Sequence, residues 1–222
     1  FETPSNPLLT ITDLNATAKL CTKHEIISII DNTFASPVNQ NPIDFGIDVI
    51  IHSATKYMGG HSDICAGAVA STSENIERIF QLAKNLGGSL SDQTVWLLER
   101  SMKTMGLRVK AQNENAQRMA EYLHVHADIA AVFYPGLPSH PDHKLAKSQM
   151  RGFGGMLSFE LKEGRLSKVK KQNYYSTSNP FWAKVRCGIL GNSFCSGSIS
   201  KGISCINTIP PRVKIKIGFL TK

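Results

Sequence analysis

Ile50-Ile51-His52-Ser53-Ala54-Thr55-Lys56-Tyr57-Met58-Gly59-Gly60-His61 runs from an apolar segment, through two hydroxyls and one lysine, into paired glycines. A short apolar run bounded by turn residues reads as a strand buried in a sheet, with Lys56 just beyond its C-terminal end. In open α/β sheets, ligands bind in the crevice outside those strand ends. An amine held there loses solvation and becomes a candidate nucleophile. Alternation along an extended chain puts the Ser53 and Thr55 hydroxyls on one side, and glycines let backbone approach a ligand closely. The pattern suits a phosphate beside an imine.

Upstream, the run Glu25-Ile26-Ile27-Ser28-Ile29-Ile30-Asp31-Asn32-Thr33-Phe34 ends its apolar part in a carboxylate. Asp31 at the end of a buried strand is costly without a cationic partner. A protonated pyridinium nitrogen would serve, and pyridoxal phosphate enzymes pair a Schiff-base lysine with such a group. The apolar runs 26–30, 49–52 and 66–70 read as strands of a mostly parallel sheet, with Asp31 and Lys56 at one rim.

Downstream the period changes from strand-like to helical. Ile76, Ile79, Phe80 and Ala83 recur at helical spacing, with Ser73 as the predicted cap and Gly87-Gly88 as the stop. Val95, Leu98, Met102 and Met105 form a second stripe, and both stripes read as core rather than as cofactor contacts. A third helix is predicted over 109–123, then a strand over 129–134, a Pro/Gly-rich loop over 134–141 and a strand over 156–161. The boundary between a large domain (1–108) and the start of a smaller C-terminal one (109–164) is placed near Arg108.

The composition is that of an ordinary globular chain: 222 residues, 41% of them apolar. No apolar run reaches the roughly 18 residues that a membrane helix needs. The five cysteines form no CxxC pair or zinc spacing, which reads as a reducing cytoplasm. His140, Asp142 and His143 could pass for metal ligands, but Pro138 and Pro141 make a polar loop the better reading. The net charge of +8 is uneven. Residues 1–164 hold 14 Lys/Arg against 17 Asp/Glu, whereas 165–222 hold 11 Lys/Arg and no acid. That basic tail lacks a helix-turn-helix pattern or basic amphipathic helix, so neither nucleic acid nor membrane is read as a partner.

Three further stretches sharpen the picture. Glu2-Thr3-Pro4-Ser5-Asn6-Pro7, Asp31-Asn32-Thr33-Phe34-Ala35-Ser36-Pro37 and Ser53 through Asp63 together resemble the trans-sulfuration family of pyridoxal phosphate enzymes. This is the group of cystathionine γ-lyase, cystathionine γ-synthase and methionine γ-lyase. The likeness continues through Arg100-Ser101-Met102-Lys103-Thr104-Met105, Tyr134 through Pro141 and Gly154-Gly155-Met156-Leu157-Ser158-Phe159, covering roughly residues 1 to 164.

The resemblance implies a fold type I transferase-like α/β architecture: a mostly parallel sheet flanked by helices, plus a smaller α+β C-terminal domain. It implies pyridoxal 5'-phosphate as cofactor, with Lys56 forming the internal aldimine and then acting as general base. Asp31 keeps the ring nitrogen protonated, Ser53 and Thr55 bind phosphate, Asn6 lies near the ring hydroxyl and substrate carboxylate, and Thr33 lies beside the ring face. Glu2 is read as part of a polar structural network near Asp31.

The implied reaction is γ-elimination from cystathionine or a related sulfur amino acid. The alternatives are γ-replacement, which uses the same residues, and an inactive fragment acting only as a structural or oligomerising remnant. A cytoplasmic homo-oligomer is implied for the full-length parent. The chain departs from the family pattern at both ends. It begins at Phe1, after the family's stacking tyrosine and Gly-Met phosphate pair, so a piece lacking the N-terminal part is expected. The family's carboxylate-clamping arginine is not legible after Gly164, so 165–222 is expected to be divergent, with a shifted reading frame as one origin.

Overall fold

The Ser28 and Asp48 side chains set the register of the first two strands. In the computed structural model, which describes residues 1–162 and the backbone of strands Trp182–Cys187 and Ile215–Ile217, Asp48 Oδ2 accepts from the Ser28 N–H (2.8 Å) and hydroxyl (2.6 Å). The Ser28 hydroxyl oxygen accepts from the Asp48 N–H at 2.9 Å. Just beyond this clamp, β1 (Ile29–Asp31) pairs in parallel with β2 (Val49–Ser53), and Asp31 stands opposite Ile51.

Ile30 and Ile50 face helix α1 (Leu14–Lys23), burying a small core with Leu14, Ala18 and Ile47. Asp13 caps that helix by accepting from the Ala16 N–H. Because strand side chains alternate, Asp31, Ile51 and Ser53 share the face opposite α1.

Strand β3 (Gly67–Ser71) pairs with β2 antiparallel, where the sequence reading expects parallel neighbours. The reason is the connection. Between β1 and β2 the chain makes a crossover through α2 (Ser36–Asn39) and a 3-10 turn (Pro42–Phe45), whereas 54–66 contains no helix. The chain therefore folds back on itself, and that fold-back carries Lys56.

Three helices follow: α3 (Ser73–Leu86), α4 (Asp92–Met102) and α5 (Met105–His124). The α3 cap is Thr72 rather than the expected Ser73, accepting from the Asn75 N–H, and Gly87 at φ +75° ends the helix. The second apolar stripe is split: Val95, Leu98 and Met102 lie on α4, whereas Met105 opens α5. Among the described residues, neither stripe is core. Phe80, Val95, Trp96 and Leu107 are exposed, and α3 buries no residue. Spacing fixes which side of a helix is apolar, but not whether this chain supplies the surface that covers it.

The larger core lies elsewhere. Ala116, Met119 and Ala120 of α5 pack on Val132, Tyr134, Leu157 and Phe159. The last four flank or lie on β4 (Ile129–Phe133) and β5 (Met156–Leu161), the first strands of an antiparallel sheet continued by β6 (Trp182–Cys187) and β7 (Ile215–Ile217). Two strands of that sheet therefore come from the basic tail. The rest of 165–222, the tail expected to be divergent, lies outside the described residues.

His140, Asp142 and His143 do not form a simple loop, because His143 opens helix α6 (His143–Gln149). Asp142 Oδ2 accepts from the Ile11 N–H at 2.9 Å, and His143 Nδ1 donates to the Pro135 carbonyl at 2.7 Å. These bonds join the N-terminal segment to the 134–141 loop. The helix was hidden because its seven residues are too few to show a period. Among the described residues, no helix is long and apolar enough to cross a membrane.

Candidate active site

The N-terminal segment runs alongside the end of β1. Glu2 forms a parallel bridge with Asp31, the Asp31 N–H donates to the Phe1 carbonyl at 2.8 Å, and the Thr3 N–H donates to the Asp31 carbonyl at 3.4 Å. Glu2 Oε2 accepts from the Asn6 N–H at 3.3 Å, which ties exposed Asn6 to the strand carrying Asp31. Glu2 thus has the structural place read from the sequence.

Asp31 Oδ1 accepts from the Thr33 N–H at 2.9 Å, an Asx turn that leaves Oδ2 for another partner. Thr33 is buried, and its hydroxyl oxygen accepts from the Ser53 N–H at 2.7 Å. This bond joins the ends of β1 and β2, so Asp31, Thr33 and Ser53 lie together as the sequence reading requires. The Thr33 hydroxyl oxygen thereby holds the strand ends together.

Thr55 behaves differently from the expectation. It lies beyond β2, where the chain has left the extended form, so strand alternation no longer aligns it with Ser53. Its hydroxyl is engaged with Ala66, accepting from the N–H (2.9 Å) and donating to the carbonyl (3.3 Å). The Thr55 N–H donates to the same carbonyl at 3.1 Å. The hydroxyl oxygen closes the base of the 54–66 fold-back.

Lys56 opens a tight turn. Its N–H donates to the Ser53 carbonyl (3.0 Å), its carbonyl accepts from the Gly60 N–H (2.7 Å), and the Gly59 N–H donates to the Ala54 carbonyl (2.7 Å). The side chain is exposed, so the desolvation expected at a strand end is not provided by the described residues alone. Nearby, buried His52 is held below its ordinary value near 6.5, chiefly by desolvation and against the opposing pull of the Asp31 carboxylate.

Two residues to which the sequence reading gives no site role anchor this turn, and a third lies beside Gly155. Tyr57 is buried, and its phenol oxygen accepts from the Gly155 N–H at 3.0 Å, reaching the start of β5. Arg108, read only as a boundary, donates from Nη1 to the Tyr57 carbonyl (2.8 Å) and from Nη2 to the carbonyls of Met58 (3.2 Å) and Ser101 (2.8 Å). Gln112, one turn along α5, is buried against Gly155, and its Oε1 has no hydrogen-bond partner. The signal for Tyr57 was its place beside Lys56. For Arg108 it was the paired glycines, since a Cβ at Gly60 would strike the guanidinium.

The donor set fits pyridoxal phosphate. It offers a carboxylate with one free oxygen, an accessible amine on a backbone-braced turn, and the Ser53 hydroxyl at the intervening strand end. Lys56 would bond the aldehyde, Asp31 would hold the ring nitrogen, and Ser53 would meet the phosphate, with Thr55 able to do so only by giving up its bond to the Ala66 carbonyl.

Known proteins point the same way. The family model for the Cys/Met metabolism PLP-dependent enzyme matches residues 1–194, thirty residues past Gly164. The chain is 45% identical over 179 residues to a cystathionine beta-lyase of Lactococcus lactis subsp. cremoris, covering 79% of this chain and 47% of that one. It is 39% identical over 220 residues to a probable cystathionine gamma-synthase 2 of Arabidopsis thaliana, covering 98% of this chain and 51% of that protein. The fold superposes on a crystal structure of cystathionine gamma-lyase from Lactobacillus plantarum complexed with L-serine. There the TM-score is 0.73 and the identity 46%, over 81% of this chain and 48% of that one. The chain spans about half the length of the curated relatives it matches.

Proposed function

Because the chain belongs to the Cys/Met metabolism PLP-dependent enzymes, we propose that it carries the lysine-bearing part of a trans-sulfuration site that breaks a C–S bond of a cystathionine-type amino acid by γ-elimination. The observation that carries this is the pairing of the β1 end, with Asp31, against the β2 end that leads into the Lys56 turn. When bound, pyridoxal phosphate supplies an aldehyde and an electron-withdrawing ring.

The protein's own groups do the rest. Asp31 would hold the protonated ring nitrogen, and its carboxylate is already oriented because Oδ1 accepts from the Thr33 N–H. Lys56 Nζ would hold the cofactor through its aldehyde, and its place on the braced turn would let the same amine take the proton from the substrate Cα. Asn6, whose N–H donates to Glu2 beside the Asp31 strand, would meet the substrate carboxylate.

The choice of γ-elimination rests on the general likeness of 55–63 and 134–141 to the lyases. Gamma-replacement and β-elimination draw on the same residues, and relatives with synthase and beta-lyase names are of similar identity. The products decide between them. Cystathionine and water give cysteine, 2-oxobutanoate and ammonia by γ-elimination, but homocysteine, pyruvate and ammonia by β-elimination. Replacement instead requires an activated homoserine and cysteine, and releases the activating group. Release of 2-oxobutanoate from cystathionine, lost in Lys56→Ala, supports the proposal; pyruvate alone overturns its γ-specificity.

The division near Arg108 and a homo-oligomeric parent belong to the same proposal. The exposed apolar residues of α3 and α4, Phe80, Val95 and Trp96 among them, support the second. Sedimentation of the chain at several concentrations tests it, and a monomer throughout overturns it.

A further inference from the structure

We propose that Arg108 is a positioning residue for Lys56, a role that rests on the reading of Lys56 as the cofactor-bearing amine. At Met58 to Gly60 the Lys56 turn is held locally by His61, whose Nδ1 donates to the Gly59 carbonyl at 2.6 Å, and from another element by a guanidinium. Arg108 sits in the first turn of α5 and is half-buried, with its Nε donating to the Thr104 hydroxyl at 3.0 Å. That bond fixes the plane of the fork. Nη1 and Nη2 then reach the carbonyls of Tyr57 and Met58, the two residues directly after Lys56, while Nη2 also takes the Ser101 carbonyl at the end of α4.

Four donated bonds from one rigid planar group define the position of the turn in a way that a flexible ammonium could not. The other wall is shaped to match. Gly60 has φ +73°, and any side chain there would enter the space of the guanidinium, so the absent Cβ makes room for Arg108. Tyr57 contributes a second tether through Gly155. The Lys56 turn is therefore suspended between the α4–α5 corner and the start of β5. Its own bonds, Gly59 N–H to Ala54 and Gly60 N–H to Lys56, report whether it stays closed.

The test compares the unaltered 222-residue chain with Arg108→Lys and Arg108→Met, by amide hydrogen exchange without cofactor and by titration with pyridoxal phosphate. Loss of the fork is expected to speed exchange at Gly59 and Gly60 by about tenfold or more, with protection of Val132 and Phe159 unchanged. Arg108→Lys should fall between the parent and Arg108→Met. The Lys56-dependent absorbance band should require about tenfold more pyridoxal phosphate in Arg108→Met.

Unchanged exchange at the two glycines, or a band of unaltered affinity, overturns the role of Arg108. So does exchange that rises equally throughout the chain, since that is loss of fold rather than of position. If the unaltered chain itself gives no band that depends on Lys56, the proposed function fails and the role of Arg108 falls with it. That outcome is distinguished from the others because it appears before any arginine is changed.

Discussion

The Thr33 hydroxyl accepts from the Ser53 N–H at 2.7 Å, and this bond carries the join between the strand that ends in Asp31 and the strand that leads to Lys56 one step beyond the Asn32 N–H to Ile51 carbonyl bond. Two parallel strands diverge once their ladder ends, so a side chain that bridges their ends determines how far apart the two charged groups are held. Thr33→Val removes the acceptor and leaves the Ser53 N–H unsatisfied, which costs about 1–3 kcal/mol. Thr33→Ser keeps the oxygen and should retain most of that stability. Urea unfolding of the three proteins checks both statements.

Asp31→Asn separates charge from geometry. The amide oxygen can still accept from the Thr33 N–H, so the fold should persist. Without the negative charge the ring nitrogen loses a charge-assisted bond, and affinity for pyridoxal phosphate should fall by roughly ten- to a hundredfold. Equilibrium dialysis alongside thermal unfolding measures the two effects separately.

Tyr57→Phe tests the tether across to β5. The Gly155 N–H would lose its buried acceptor, at a cost of about 1–3 kcal/mol. Because Tyr57 adjoins Lys56, the loss should be felt in cofactor affinity as well as in stability. A variant that unfolds earlier yet binds cofactor normally would show the tether to be structural only.

Stability should fall on mild acidification. Burial holds His52 and His140 below their ordinary value near 6.5, for His140 against the opposing effects of its bond to the Leu8 carbonyl and of Asp142. The neutral rings are thus favoured in the folded state. As pH drops through 6.5 the unfolded chain takes up protons that the folded chain does not, so the folded state loses stability until pH passes below the folded values. His52→Gln should flatten that decline below pH 6.5, measured by denaturant midpoints at successive pH values.

Much of this site was legible in the sequence because strand ends are punctuated strongly. Apolar runs, a carboxylate, paired glycines and a lysine at fixed order located Asp31, Ser53 and Lys56 without any contact information. Thr55 was misaligned because alternation was carried one turn too far, past the last extended residue at Ser53. Arg108 and Gln112 were missed for a different reason. Arg108 reaches the Tyr57 and Met58 carbonyls about fifty residues away and Gln112 packs on distant Gly155, and no local period encodes which helix face a distant segment will meet. Likewise, the stripes on α3 and α4 revealed amphipathic helices correctly, but burial depends on surfaces that sequence spacing cannot supply.

The central claim is that Lys56 is the residue that bonds the cofactor. Incubating the chain with pyridoxal phosphate at one equivalent, reducing with borohydride and mapping the peptides tests it most directly. The account predicts a stable pyridoxyl adduct concentrated on Lys56 and absent from that peptide in Lys56→Arg. An adduct spread over exposed lysines such as Lys103 in proportion to their accessibility, with Lys56 no more modified than they are, would contradict it.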